Sequence, residues 1–342
     1  MPDKISEKEA TQRILAAMQA YSKKHVYHEC LANDSNCKEV IRAHSVQSSR
    51  VLDAIAKDGH VYMFTSYNEQ HTRLKRIGKN CATTFTGFCA VHDTKLFKSV
   101  DFGDHCHFDP NNTQQVVLLS LRATAKEYWT KLNICKCVQL WMNKAKENDI
   151  ASLQDEYHTG LFIKNSHSHS LCSFYEGTQS SKRRLERMYK SLLTQYRRAK
   201  YSLSQTKVYQ FPSISNIVAA SVFSPEFDYK GNRIESFLPH RDVADIALNV
   251  FPLEGITWVV FLFHKRFANK LAPIFAQLDS FSTQDRAVAL SKMIIVNCEN
   301  VAFSPEFIES LKEDEKLRIE SIFDDTVVMP SSYDFIPDLN FF

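Results

Sequence analysis

Apolar residues recur at helical spacing over much of the first two hundred positions, and in shorter, denser runs over the last third. Near the start, Ile14, Leu15, Met18 and Tyr21 fall on one face of an amphipathic helix. "SSRVLDAIAKDGH" predicts a second helix, with Val51, Leu52, Ile55 and Ala56 on its apolar face and Gly59 as its stop. From Asn112 to about Asn148 no Gly or Pro interrupts a three-and-four repeat, which predicts one long helix. Another runs from about Ser180 to Ser202, and the two are expected to pair as an antiparallel hairpin. "TGLFIKNSHSHSLCSFYEG" between them is expected as an exposed β-like insertion.

The C-terminal third is richer in β-branched and aromatic residues. "IVAASVFSPEFDYKGNRI", "ADIALNVFPLEGITWVVFLFHK" and "KMIIVNCENVAF" read as strands of an antiparallel sheet, with "PLEG" as a hairpin turn. "PIFAQLDSF" predicts a helix among them, and a later helix opens at Ser304 with Pro305 in its first turn. "FSPEF" occurs at Phe223 and again at Phe303, without matching surroundings, as expected of two similar strand exits. The pattern predicts an α+β chain in three parts: a Cys/His region over 1–110, a helical hairpin over 111–204, and an α+β domain with flanking helices over 205–342.

Composition narrows the function classes. A chain of 342 residues, 44% of them hydrophobic, is long enough for a sizeable core. Net charge is only +3, so an affinity for nucleic acid has to come from a local patch. Gly is scarce, at 8 residues, and neither a GxGxxG nor a GxxxxGK pattern occurs, which argues against the common nucleotide folds. The most apolar run, Ile256 to Phe263, is too short for a membrane helix, and the N-terminus mixes charges of both signs, unlike a signal peptide. A soluble, cytoplasmic protein without a membrane partner is expected. Nine Cys, unevenly spaced, fit thiols and ligands better than a disulfide frame.

The candidate chemistry lies in the first hundred residues. Cys30, Cys37, Cys89 and His92 form two pairs of ligands that zinc accepts in a tetrahedron. In "FTGFCAVHD" the Cys-x-x-His pair opens a helix, with Gly87 giving room for a tight knuckle. Six residues separate Cys30 from Cys37, more than is usual, so His44 is a fifth candidate, and buried, unligated thiols are the bland alternative. "HCH" at 105–107 and "HSH" at 167–169 read as solvated loops. Cys135 and Cys137 fall on different helix faces, and Cys298 reads as a buried thiol in a strand.

A Cys pair, a strand ending in His, and a Cys-x-x-His knuckle opening a helix resemble the order found in zinc-stapled HNH (ββα-metal) nucleases and treble-clef proteins of bacteria. The resemblance covers about residues 25–100. It implies a treble-clef-like fold for this region, with structural Zn2+ on Cys30, Cys37, Cys89 and His92. If the chain is a nuclease, it also implies His44 as a catalytic base with Asp93 nearby, and a Mg2+ at the leaving oxygen. Ala43 stands where many of these nucleases carry an acidic metal ligand, and Asp93 where they carry Asn or His.

The second predicted long helix is the other functional signal. Arg183, Arg184, Arg187, Lys190, Arg197 and Arg198 crowd one face, while Leu185, Met188, Leu192 and Tyr196 form the opposite stripe. Such a face suits a phosphate backbone, or an acidic protein partner, or only solvent. Two functions therefore stand side by side. One is a zinc-containing nucleic-acid-binding protein, including an HNH-type nuclease. The other is a non-enzymatic interaction module with a structural zinc, binding a protein partner or its own copies, as in a bacterial defence or stress system.

Overall fold

The structure is a computed structural model that describes residues 27–66, 72–101, 107–146, 168–235, 242–328, 333 and 336–342. The expected helix over the first 25 residues lies outside them, as do His105 and Cys106 of "HCH"; of "HSH", expected as a solvated loop, Ser168 and His169 instead open a helix. The chain is α+β, with a long helix pair, antiparallel sheets and flanking helices.

A small two-stranded sheet pairs β1 (Val40–His44) with β4 (Thr84–Cys89), and α1 (Ala90–Phe97) follows directly. Between them, β2 (His60–Ser66) and β3 (Thr72–Gly78) leave this sheet and form one edge of a larger one. The long helices are α2 (Thr113–Lys146) and α3 (Ser168–Arg198). Then come β5 (Ser204–Phe211), β6 (Ile217–Phe223), β7 (Ile246–Leu253) and β8 (Ile256–His264). Helices α4 (Ala268–Ser280) and α5 (Thr283–Asn297), the short β9 (Val301–Phe303), α6 (Pro305–Ser310) and α7 (Glu313–Val328) complete the described chain.

The large sheet has seven strands in the order β3-β2-β9-β6-β7-β8-β5, every neighbour antiparallel. Its pleat sorts side chains by parity. Val218 and Ala220 of β6 join a core with α2, whereas Ile217 and Ala219 join a second core with α4 and α5. With helices on both sides, β7 is buried at all eight positions, which is why "IALNVFPL" is so apolar. Glu254 and Gly255, both at positive φ, close the β7–β8 hairpin where "PLEG" predicts it.

Helices α2 and α3 run antiparallel, since Gln139 meets Tyr175 (2.6 Å) while Tyr128 stacks on Tyr189 further along. The first core extends from this pair into the β1–β4–α1 region, so the small sheet is fixed to the long helices.

Four expectations are corrected. Helix α3 starts at Ser168, so the second half of the expected β-like insertion is helical. Docking along α2 supplies what its local pattern lacks. "KMIIVN" is the last turn and a half of α5, not a strand. Ser282 caps that helix by accepting from Asp285 N (3.1 Å), and Met293, Ile294 and Ile295 are buried, where a short apolar run reads alike as buried helix or strand. Cys298 is accordingly a helix C-cap, though buried as expected. "SSRVLDAIAKDGH" gives only a single π-type turn, Ser48–Leu52, and Asp58 and Gly59, both left-handed, make the turn into β2 rather than a helix stop. The two "FSPEF" copies do leave neighbouring strands, β6 and β9, and only the second continues into a helix.

Candidate metal centre

Cys30 and Cys37 lie in the loop before β1, Cys89 ends β4, and His92 sits in the first turn of α1. Two tight turns overcome the long spacing of the first pair: Asn33 N bonds Cys30 O (3.0 Å), and Cys37 N bonds Asp34 O (3.2 Å). Asn33 takes a positive φ at the junction. The loop then presses against β4 through Leu31 N to Gly87 O (2.8 Å). Gly87 is not left-handed; it serves close approach. A Cβ there would stand 2.6 Å from the Phe85 ring and 3.2 Å from Leu31 Cδ1. The expected tight knuckle is therefore a matter of space rather than of backbone conformation.

The ligand atoms of Cys30, Cys37 and His92 all lie within 4.8 Å of one another. His92 Nδ1 is the hub, 3.6 Å from Cys30 Sγ, 3.7 Å from Cys37 Sγ and 3.2 Å from Cys89 Sγ. An ion with metal–sulfur bonds of about 2.3 Å and a metal–nitrogen bond of about 2.0 Å, arranged tetrahedrally, would separate S and N by about 3.6 Å. Cys30 Sγ and Cys37 Sγ stand at that separation from His92 Nδ1, so these three residues fit a tetrahedral metal, while Cys89 Sγ adjoins the same ring nitrogen without lying within 4.8 Å of all three. Cys30, Cys89 and His92 are buried and Cys37 is half-buried.

The surroundings complete the site. Asp34 Oδ2 accepts from His92 Nε2–H (2.9 Å), which leaves Nδ1 as the acceptor facing the sulfurs. This carboxylate–histidine pairing is common behind metal-bound imidazoles. Backbone N–H groups point at the sulfurs, Cys89 N to Cys30 Sγ (3.4 Å) and Asp34 N to Cys37 Sγ (3.4 Å). Burial raises the Cys89 thiol, but N–H groups of Lys38 and His92 together with the His92 and Cys30 side chains outweigh it and bring the thiol down to about 6. Burial pushes Cys30 up to about 11 despite the N–H groups of Cys89 and Ala32, so of these two thiols Cys89 ionises first. None of the seven described cysteines is in a disulfide.

His44 stands apart. Val40 pairs with Cys89 and His44 with Thr84, so His44 lies four strand residues, or about 13 Å, from the level of the metal cluster. Its Nδ1 is buried without a hydrogen-bond partner, and Asp93 Oδ1 is likewise buried and unpartnered. Both residues lie in the field of the same ion pair, Arg122 to Asp101 (2.8 Å), whose guanidinium stacks on Phe97. Burial, then Arg122, holds His44 below its ordinary value; burial raises Asp93 despite Arg122.

On α3 the six basic residues divide. Arg184 is inside, paired with Asp245 (3.1 Å) and Ser224 (3.2 Å). Lys190 holds Glu186 (2.6 Å), and Arg187 leans on Asp242 (3.9 Å). Arg183, Arg197 and Arg198 are exposed and form no ion pair among the described residues. Arg197 lies near enough to Asp34 to help lower its carboxyl, after the Asn36 N–H and His92. The basic face thus runs up to the rim of the metal cluster.

Asp34 was missed by sequence reasoning, although "NDSN" before Cys37 marks a turn in which an Asp could face a ligand. No helix among the described residues is long and apolar enough to cross a membrane. Comparison with known protein families, with curated proteins and with solved structures finds no match to the chain.

Proposed function

We propose that the chain is a zinc-stapled nucleic-acid-binding protein of a reducing, cytoplasmic compartment, in which the metal is structural and α3 supplies the contact surface. Zinc is the metal of choice for three thiolates and one imidazole, and four protein ligands leave no open position for substrate. The treble-clef-like order of β1, β4 and α1 around the cluster agrees with that role.

The observation that carries the binding surface is the stripe Arg183, Arg187, Lys190, Arg197 and Arg198. At 3.6 residues per turn the five fall on one face along about 22 Å of helix and are exposed, while Leu185, Tyr189, Leu192 and Leu193 bury the opposite face. These cations suit phosphates and carry no base readout, so binding is expected to be salt-dependent and tolerant of sequence. With partial pairing of Arg187 and Lys190, the affinity for duplex DNA should fall with salt at a slope of about −3 to −4.5. The test is fluorescence anisotropy with single- and double-stranded DNA and RNA over a salt series. Reversing Arg183, Arg197 and Arg198 to Glu, and sparing Arg184 because it holds Asp245, should flatten the slope by about 3. A slope unmoved by the triple reversal refutes the surface and returns this face to an acidic protein partner.

One observation favours a hydrolytic extension, an HNH-like nuclease: the unpartnered His44 Nδ1 and Asp93 Oδ1. There His44 would be the base beside a Mg2+. Magnesium-dependent cleavage of DNA or RNA that His44→Ala abolishes while metal content stays whole would support it. Absence of cleavage by the parent chain removes it and leaves the binding function intact.

A further inference from the structure

Between α3 and the sheet end formed by β5 and β8 lies a cavity of about 400 Å3 that meets the proposed α3 surface only at Arg187. Its walls are of two kinds. Met188 and Leu192 of α3, with Leu262 and Phe267, make an apolar floor. Ser191, Gln195 and Ser204 make a polar wall. Gln195 is buried, donating to Ser191 Oγ (3.4 Å) and accepting from Ser204 Oγ (3.0 Å), so its amide is held in place.

The rim is cationic. Arg184 is neutralised by Asp245, but Arg187 and Arg266 share a single carboxylate, Asp242, at 3.9 and 3.2 Å. Three guanidiniums against two carboxylates leave one positive charge at the mouth. The Arg266 guanidinium lies over the Phe267 ring, 4.5 Å from its centroid, which orients its fork. An Arg fork of this kind fits phosphate or carboxylate oxygens, and Asp242 keeps two of them together until an anion displaces it. The volume is at the small-molecule end of the range for ligand pockets.

We propose that this cavity binds a nucleoside monophosphate, with the base on the apolar floor and its edge toward Gln195 and Ser204. The phosphate sits between Arg187 and Arg266. The site goes beyond the proposed polyanion surface, because Arg266 is not on the α3 stripe and Arg187 is untouched in the triple reversal above.

The experiment is calorimetric titration of the full chain with AMP, CMP, GMP and UMP, and with adenosine and inorganic phosphate. At least one nucleotide should bind about tenfold or more tightly than adenosine or phosphate alone, since each of those lacks one half of the recognition. Arg266→Glu should weaken that binding about tenfold or more by removing a charge-assisted contact, and Ser191→Trp should block it by filling the cavity. Both variants are checked for an unchanged unfolding midpoint, with Arg266→Gln as the milder substitute should Arg266→Glu fail to fold. Phosphate binding as tightly as every nucleotide, no nucleotide binding, or binding indifferent to the Arg266 and Ser191 variants overturns the proposal. The α3 triple reversal should leave mononucleotide binding intact, so failure of the nucleic-acid surface and failure of this pocket are told apart.

Discussion

Asp34→Asn separates a metal centre from a chance cluster of thiols. Asp34 uses its two oxygens differently: Oδ1 accepts from Asn36 N (2.8 Å) and Oδ2 from His92 Nε2 (2.9 Å). Asparagine keeps an oxygen for the Asn36 turn but presents an amide N–H toward His92, where two donors cannot bond. The loop is retained and the support behind the imidazole is lost. Removing a carboxylate of this kind lowers metal affinity about 10–100-fold, or about 1.4–2.7 kcal/mol. At a buffered free zinc level above both dissociation constants, that difference appears in full as stability. For 342 residues it corresponds to a lowering of the unfolding midpoint by about 2–4 °C. The measurement is zinc competition against a chromogenic chelator together with a thermal melt in zinc buffer. Cobalt substitution provides the control, since the sulfur-to-cobalt absorption should keep the intensity of three thiolates. Cys89→Ser should lose a third of that absorption. An Asp34→Asn protein with parental zinc affinity would refute a His92-centred site, and zinc-free protein purified without chelator would remove the site altogether.

Three further predictions concern the frame. Gly87→Ala should cost about 1–3 kcal/mol and weaken zinc binding, because its Cβ at 2.6 Å displaces the Phe85 ring packed on Phe88 and Trp129, and with it the Cys30 loop; denaturant unfolding checks it. Burial, and then Glu299, raise the Glu127 carboxyl from 4.5 to about 7 against Lys131 and Lys126. The native state therefore binds the extra proton between those values, and stability should fall as pH rises from about 4.5 to 7. Glu127→Gln should remove that slope and stabilise by about 3 kcal/mol above pH 7, with the curves converging near pH 4; denaturant midpoints across this range decide it. Finally, His44→Ala should leave zinc content unchanged by elemental analysis, because His44 lies about 13 Å along β1 from the cluster; lost zinc would make it a ligand.

The candidate site was unevenly legible. Cys89 and His92 could be read directly, because a ligand pair three residues apart at a helix start converges by helix geometry alone. Cys37 could not be placed with the same force, since nothing in "CLANDSNC" says that two successive turns bring residue 37 back to residue 30. That Gly87 gives room for the knuckle could be read, but not what presses on that space, because the sequence does not show Leu31 and the Phe85 ring lying against it. On α3 the charge pattern was plain, but Arg184 could be told from Arg183 only by knowing that Asp245 comes up beneath it.

The sequence by itself determined what local periodicity and local chemistry determine: two long helices, an antiparallel C-terminal sheet with a tight Glu254–Gly255 turn, and a thiol-and-imidazole pair at the head of α1. Those properties depend on neighbours within a few residues, where side-chain spacing and backbone sterics act directly. Only the tertiary structure decided that β2 and β3 join the sheet of the C-terminal third, that "KMIIVN" is helix, that Asp34 stands behind His92, and that a cavity opens between α3 and β8. Each of these brings together residues far apart in the chain, and such pairings are chosen by burial of the whole core rather than by any local preference.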